Sequence, residues 1–271
     1  MRDGLKVLVG LLATACGKSG SVSGGNESSA GGSQVAAPAD PAAPSPSAAP
    51  PAPAGLPKRS APATAEVLAT FDRFCQDAVK TACFDAGMRR ALGKGTPRDR
   101  PAAVAWLEKG CTLDDPESCN MLAGFLLLGD EGVPLDMKRA LELHVRTCPK
   151  MAASCTSAAG MHMRGEGTAP DDRRAFELLE QGCRDGDGRG CELLAQHAMS
   201  GDGLPKDETR AVELARKACT LQPQYCETLG SYYIAGQGVP KSSNEGIALI
   251  EKACSAGSSK ACEGLEVLRG N

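Results

Sequence analysis

The sequence predicts an all-α fold, a solenoid of about five helical hairpins that are each about 36 residues long. Twelve of the 13 cysteines fall into six close pairs, and the first members of successive pairs are 35 to 37 residues apart. A glycine stands ten residues after the second cysteine in each of the first five pairs. Small and aliphatic residues recur at helical spacing between these positions. A fixed period in this range is typical of stacked repeats, in which each unit buries its apolar face against its neighbours.

The start of the chain has the features of a targeting segment. Two basic residues precede a short apolar run over residues 7–14, far below the roughly 20 apolar residues that a membrane-spanning helix needs. Such a run followed by small residues is typical of a signal peptide, which we expect over residues 1–15. Ala13-Thr14-Ala15-Cys16 also resembles a bacterial lipoprotein motif, in which Cys16 becomes the lipidated first residue. Ordinary secretion, with cleavage at the same small residues, is the alternative.

The segment that follows is expected to be a disordered tether, so that residues 16–63 comprise the lipidated cysteine and a flexible chain. Of the 47 residues over 17–63, 37 are Gly, Ser, Ala or Pro. A segment of this composition cannot bury enough apolar surface to offset the entropy lost on ordering. It would hold a soluble domain, predicted over residues 64–271, away from the membrane surface.

Each repeat is predicted to consist of helix A, a turn and helix B. Helix A starts near the second cysteine and ends at the glycine, which suits a left-handed C-cap. A proline follows, and two residues after it we expect the N-cap of helix B. These predicted N-caps are Asp99, Asp136, Asp172, Asp207 and Ser242. Small residues on both helices predict a close crossing: Gly87, Ala123, Ala159, Ala195 and Gly230 on helix A, and Ala103, Ala140, Ala175, Ala211 and Gly246 on helix B.

Residues 226–241 carry the pattern Cys-x-x-Leu-Gly-x-x-Tyr-x-x-Gly-x-Gly-Val-Pro-Lys. This pattern resembles the Sel-1-like repeat. The added cysteine pairs resemble the cysteine-rich secreted branch of that family, the Helicobacter cysteine-rich protein type. The resemblance covers about residues 65–270, and it implies an α/α solenoid related to tetratricopeptide arrays.

The cysteine pairs are expected to form six disulfides, because each pair joins the end of one helix B to the first turn of the next helix A. A disulfide that closes so short a loop stabilises the fold by about 2–3 kcal/mol, which matters in a chain with only 3% aromatic residues. The fold is therefore predicted to be disulfide-stapled. The predicted bonds are Cys75–Cys83, Cys111–Cys119, Cys148–Cys155, Cys183–Cys191, Cys219–Cys226 and Cys254–Cys262.

Zinc binding and thioredoxin-like redox chemistry are the competing hypotheses for these cysteines. Zinc sites prefer two to four residues between paired ligands, and the redox motif Cys-x-x-Cys is absent from the sequence. Structural disulfides require an oxidising compartment. We therefore expect a lipid-anchored protein of the bacterial cell envelope, on the outer membrane, or otherwise a periplasmic or secreted protein.

Charge and motif content limit the function classes. A net charge of −3 argues against nucleic-acid binding, which needs clustered Lys and Arg. The resemblance implies penicillin binding or weak β-lactamase activity as an alternative function, but the repeat region contains no Ser-x-x-Lys. The three histidines form no metal-binding motif, and we predict no cofactor.

A binding face is the preferred hypothesis, because stacked hairpins form an extended groove along their A helices. By analogy with tetratricopeptide arrays, that face lies one, five, and eight or nine residues after the second cysteine. The residues predicted there are Phe84, Met88, Asn120, Leu127, Thr156, Met163, Arg164, Gln196, Met199, Ser231 and Ile234. A mixed, methionine-bearing surface suits an adaptable groove for a protein or peptide partner. A structural spacer with no specific ligand is the third hypothesis.

Overall fold

The computed structural model describes residues 53–129 and 132–269, and the regular secondary structure in this part of the chain is all helical, without strands. The predicted signal peptide, Cys16 and most of the predicted tether lie outside the described residues. The chain divides into two units at Pro50, and all described residues belong to the second unit, Pro51–Asn271.

Twelve α-helices follow one another in the described residues, and a single 3₁₀ turn, Pro223–Tyr225, precedes the tenth. The odd-numbered helices correspond to the predicted B helices and the even-numbered helices to the A helices. Their bounds are α1 Ala65–Gln76, α2 Lys80–Leu92, α3 Arg100–Thr112, α4 Pro116–Leu128, α5 Met137–Thr147, α6 Ala152–Arg164, α7 Asp172–Arg184, α8 Gly188–Ser200, α9 Glu208–Leu221, α10 Cys226–Ala235, α11 Ser243–Ser255 and α12 Ser259–Arg269.

The helices pack as a solenoid. Each A helix from α2 to α10 packs most closely against the B helix that follows it, and also against the B helix that precedes it. Three clusters of buried apolar residues follow one another along the chain, the largest running from α2 to α9. The predicted all-α solenoid is therefore confirmed, because its contacts run between neighbouring units.

The glycines end the A helices as predicted. The C-caps of α2, α4, α6, α8 and α10 all have positive φ, between 59° and 79°. An L-residue with a side chain rarely adopts this conformation, so glycine is favoured at each of these positions. These C-cap glycines are Gly93, Gly129, Gly165, Gly201 and Gly236.

One predicted N-cap is wrong. The structure places Asp171, not Asp172, at the cap of α7, where its side chain accepts a hydrogen bond from the N–H of Arg174 at 2.9 Å. In four of the five repeats the N-cap lies six residues after the glycine that ends helix A, as Asp171 does after Gly165. Its own N–H donates to the carbonyl of His162, nine residues back, as Asp99, Asp207 and Ser242 do in their repeats. In this repeat one extra residue precedes the proline, so counting from the proline placed the predicted N-cap one residue too late.

The two columns of small residues meet where helix A crosses helix B. A Cβ at Gly87 would lie 3.1 Å from the carbonyl oxygen of Ala103, so the crossing is close already in the first hairpin. At the crossing of α10 and α11, a Cβ at Gly230 would lie 2.7 Å from the carbonyl oxygen of Gly246. The alanines of the other repeats are fully buried at the same positions.

Six disulfides connect the end of each B helix to the first turn of the next A helix, with Cα–Cα distances between 4.2 and 4.7 Å. These distances lie at the short end of the range that a disulfide spans. Each bond joins one hairpin to the next and bridges a sharp reversal of the chain. The fold is thus a disulfide-stapled α/α solenoid.

Candidate protein-binding face and first-repeat slot

The predicted binding face is only partly available. Arg164, Gln196 and Ser231 are exposed. Six other predicted residues are half-buried on the A helices: Phe84, Met88, Asn120, Leu127, Met163 and Ile234. The surface that remains is shallow and chemically mixed.

Two predicted face residues belong to the interior, and placing them on the face was wrong. Thr156 is buried, and its hydroxyl donates a 2.5 Å hydrogen bond to the carboxylate of Asp187, the N-cap of α8. Met199 is buried in the apolar cluster that continues toward the end of the solenoid. The analogy with tetratricopeptide arrays fails at these positions because adjacent repeats pack directly on them.

The position that follows the second cysteine commonly links neighbouring A helices. The hydroxyl of Ser154 donates to the side-chain oxygen of Asn120 at 2.9 Å, between α6 and α4. The hydroxyl of Thr228 donates to Glu192 at 2.8 Å, between α10 and α8. Burial raises the pKa of Glu192. These side chains therefore stabilise the stacking of repeats, and among them Asn120 is the one that the spacing argument assigned to ligand binding.

A dense polar cluster lies at the first A helix, and we call Phe84, Asp85, Arg89 and Glu117 the first-repeat slot. The side chain of Arg59 fills it. Its Nε lies 3.3 Å from Oδ1 of Asp85, its guanidinium carbon lies 4.7 Å from the centre of the Phe84 ring, and its Nη2 bonds to Glu117. One arginine thus contacts two carboxylates and one aromatic face.

The chain that carries Arg59 differs from the sequence prediction. The sequence predicts disorder up to residue 63, whereas the structure places residues 53–63 against the first hairpin. Leu56 packs on the cluster around Phe71. The buried guanidinium of Arg89 donates to the backbone carbonyls of Ala61 at 2.9 Å and Pro62 at 3.0 Å. Leu56 is the one side chain of residues 53–63 in the apolar clusters of the described residues, so polar contacts hold most of this segment.

The unusual role of Arg89 could have been predicted by comparing it with the equivalent position in the other repeats. The residues six places after the second cysteine in the other repeats are large apolar or aromatic ring-bearing residues: Phe125, Met161, His197 and Tyr232. A single arginine at this repeat position indicates that hydrogen-bond acceptors lie next to it, because a buried guanidinium needs acceptors. In the structure Arg89 is 5% exposed and also lies over the ring of Phe71 at 4.9 Å.

The carboxyl of Asp85 is the most perturbed acid of the slot. Burial raises its pKa to about 6, and the nearby positive charges of Arg59 and Arg89 oppose that rise. The carboxyl of Asp85 is therefore mostly ionised at neutral pH, and the cations of the slot favour this charged form.

A groove of about 430 Å³ lies between α3 and α5, lined by Glu108, Cys111, Thr112, Leu122, Arg139, Glu142, Leu143 and Arg146. Arg139 forms an ion pair with Glu108 of the preceding B helix, at 2.9 Å. The Nη2 of Arg146 lies 2.5 Å from Sγ of Cys111. The groove holds both signs of charge over a disulfide, and we assign it no ligand.

The histidines do not assemble a reactive site. His144 is buried in α5, and burial lowers its pKa to about 4. The Nδ1 of His197 lies 2.9 Å from the carbonyl oxygen of Asp202, and its ring packs edge-on against Phe176. Within the described ranges, no three His, Cys, Asp or Glu side chains come together in a way that could hold a metal ion.

Within residues 53–129 and 132–269, none of the helices combines the length and the apolar content that crossing a bilayer requires.

A protein-family model described as the Sel1 repeat matches five segments of the chain, residues 80–115, 116–147, 152–187, 189–223 and 227–258. Together they make up more than half of its length. The chain belongs to the Sel1 repeat family. Each matched unit begins near the start of an A helix and includes the B helix that follows it, so a Sel1 repeat here is one helical hairpin. Sel1 repeats generally mediate protein–protein interactions.

Solved structures share this fold. A protective antigen of uropathogenic Escherichia coli with an SLR fold superposes with a TM-score of 0.65 at 21% identity, over 74% of this chain and 43% of its own. A Sel1 repeat protein from Oxalobacter formigenes also gives 0.65, at 23% identity, over 75% of this chain and 59% of its own. Helicobacter pylori cysteine rich protein B is 30% identical over 48% of this chain and 94% of its own, with a TM-score of 0.40.

One curated relative is similar in sequence, the cytochrome c oxidase assembly factor 7A of Xenopus laevis. It is 29% identical over 107 residues, which are 38% of this chain and 46% of that protein. The chain therefore spans less than half the length of the relative it matches.

Proposed function

We propose that this protein is a scaffold of the cell envelope that binds another protein or peptide along its A helices. The Sel1 repeats support a role in protein–protein interaction. The observation that carries the proposal is the first-repeat slot, where the solenoid already holds a non-helical segment of its own chain through Arg89 and through the side chain of Arg59. A surface that recognises both backbone carbonyls and a side chain has the chemistry of a peptide-binding site.

The proposed location rests on the disulfides. Six disulfides in one domain are typical of proteins that fold outside the reducing cytoplasm. We place the protein in the bacterial envelope, anchored by a lipid on Cys16, or otherwise periplasmic or secreted. Fractionation of cells that express the wild type and Cys16→Ala tests the anchor. The anchor requires the wild type in the membrane fraction and the variant in the soluble fraction, and an unchanged distribution would refute it.

Site-specific photo-cross-linking in intact envelopes tests the scaffold. A photoreactive residue is placed at Gln196 or Ser231, which are exposed on A helices, and as matched controls at Glu177 or Glu213, which are exposed on B helices. We expect a partner protein to cross-link from the A-helix positions and not from the B-helix positions. No specific product from either A-helix position would instead favour the spacer hypothesis.

A further inference from the structure

We propose that the first-repeat slot binds a turn-forming, arginine-bearing segment of a partner protein, and that residues 53–63 occupy it as an internal substitute in the free protein. This inference rests on the proposed scaffold function and adds to it the chemistry of the partner.

The slot requires a peptide backbone. Arg89 is buried, and it donates to three carbonyls of the bound segment, those of Arg59, Ala61 and Pro62, at 2.9 to 3.3 Å. A buried donor that loses its acceptors costs stability, more so when it is charged. Water or another peptide must therefore replace this segment whenever it leaves. Residues 58–61 form a turn, closed by a 2.8 Å hydrogen bond from the N–H of Ala61 to the carbonyl of Lys58, so the slot suits a turn-forming peptide.

The slot also selects one side chain. The guanidinium of Arg59 meets the carboxylates of Asp85 and Glu117 at its edge and the ring of Phe84 at its face. A planar cation with several donors satisfies these three groups at once, whereas a lysine ammonium is a point charge that cannot match them. A partner segment should accordingly present arginine rather than lysine.

The internal occupant is held weakly enough to be exchanged. The side chains of Arg59 and Glu117 are 51% and 40% exposed, and ion pairs this exposed contribute little to stability. Residues 53–63 contain no regular helix, and Leu56 is their one apolar residue in the first core cluster among the described residues. The segment joins α1 directly at Thr64, the N-cap of that helix. Its local concentration is therefore high, which lowers the apparent affinity for any external competitor.

A binding experiment on the full-length, oxidised chain tests the inference. The probe is a fluorescein-labelled synthetic peptide with the sequence of residues 53–64, followed by fluorescence anisotropy. We expect Arg59→Ala in the chain to raise its affinity for the probe about tenfold, because the internal occupant is weakened. The matched control is Lys58→Ala, which removes the neighbouring positive charge and should leave the affinity at the wild-type value. A probe in which the arginine is replaced by lysine or alanine should bind the Arg59→Ala chain at least about tenfold more weakly.

Asp85→Asn, added to the Arg59→Ala chain, should abolish the gain in probe affinity. Equal affinities of the Arg59→Ala and Lys58→Ala chains would overturn the inference, as would equal binding of the arginine and alanine probes. Thermal melting of each variant verifies that it is folded. The photo-cross-linking positions Gln196 and Ser231 lie outside this slot. If a partner cross-links there but the probe peptide binds without dependence on its arginine, the inference about the slot is refuted and the proposed scaffold function is not.

Discussion

The phenolic hydroxyl of Tyr232 donates a hydrogen bond to the backbone carbonyl of Ala195, 3.1 Å away in the preceding A helix. Both residues are buried, and burial raises the pKa of Tyr232 to about 12, with a further contribution from the charge of Glu192. The contact joins α10 to α8. The spacing of these repeats therefore depends on a directional polar contact as well as on apolar packing.

Removing this hydroxyl should weaken the stacking of the last repeats. We expect Tyr232→Phe to lower the free energy of unfolding by about 1 kcal/mol, the usual net value of a buried hydrogen bond. Urea denaturation of the oxidised protein measures it. Tyr233→Phe is the matched control, because the hydroxyl of Tyr233 receives only a 3.3 Å contact from the exposed Arg216. Equal losses in the two variants would show that the bond to Ala195 contributes nothing.

The glycine crossing of α10 and α11 should not tolerate a methyl group. In Gly230→Ala the new Cβ would lie 2.7 Å from the carbonyl oxygen of Gly246, and backbone atoms cannot move away as a flexible side chain does. We expect a loss of about 1–3 kcal/mol, as for an overpacked core, measured by thermal or urea unfolding.

Gly124→Ala is the control for that substitution. Gly124 lies inside α4, and nothing lies within 4 Å of the position of its added Cβ. The alanine should therefore stabilise the protein by about 0.5–1 kcal/mol, because glycine is the weaker helix former. A Gly124→Ala variant that is destabilised as much as Gly230→Ala would contradict the close-crossing explanation.

The disulfides should contribute unequally along the solenoid. Cys183→Ala with Cys191→Ala removes a buried bond between two complete hairpins. Removing this loop closure should cost about 2–3 kcal/mol. The same double substitution at Cys254 and Cys262, which are half-buried at the last described helix, should cost less. Calorimetry of the two double variants measures the difference. Reduction of the wild type with dithiothreitol should lower the melting temperature more than either double substitution does. Equal melting temperatures of the reduced and the oxidised protein would contradict stabilisation by the disulfides.

His144 should make the protein sensitive to acid. Burial lowers its pKa from 6.5 to about 4, so between these values the folded state binds fewer protons than the unfolded state. The folded state is therefore destabilised as the pH falls from 6.5 toward 4. The free energy of unfolding decreases over this range by on the order of 3 kcal/mol. Asp85, whose pKa is raised to about 6, acts in the opposite direction over the same window.

The comparison of wild type with His144→Leu separates these two groups, because both proteins contain Asp85. We expect the stability of the variant relative to wild type to rise as the pH is lowered from 7 to 4.5, measured by urea denaturation at each pH. If the difference in free energy of unfolding between the variant and wild type stays constant over this range, His144 has the same pKa in the folded and unfolded states.

The N-cap of α7 provides a test of the corrected register. Asp171→Ala removes the acceptor for the N–H of Arg174 and should cost about 1 kcal/mol. Asp172→Ala removes only a charge in the first turn of the helix, which is worth a few tenths of a kcal/mol up to about 1. Thermal melts of the two variants decide between them, and a larger loss in Asp172→Ala would restore the cap that the proline spacing predicts.

The sequence by itself determined the repeat, the glycines that end the A helices and the disulfide framework. These features depend on neighbours in the chain: a cysteine and its mate are seven or eight residues apart, and a glycine such as Gly93 ends its helix through its own backbone. Local geometry of this kind is visible in the spacing of residues.

Only the tertiary structure decided which surface is free and which is occupied. Thr156 and Met199 stand at positions that the repeat pattern assigns to a groove, yet the next repeat buries them. Arg59 and Glu117 are 58 positions apart in sequence and meet in the first-repeat slot. Contacts over such separations depend on how whole helices stack, and no local spacing encodes them.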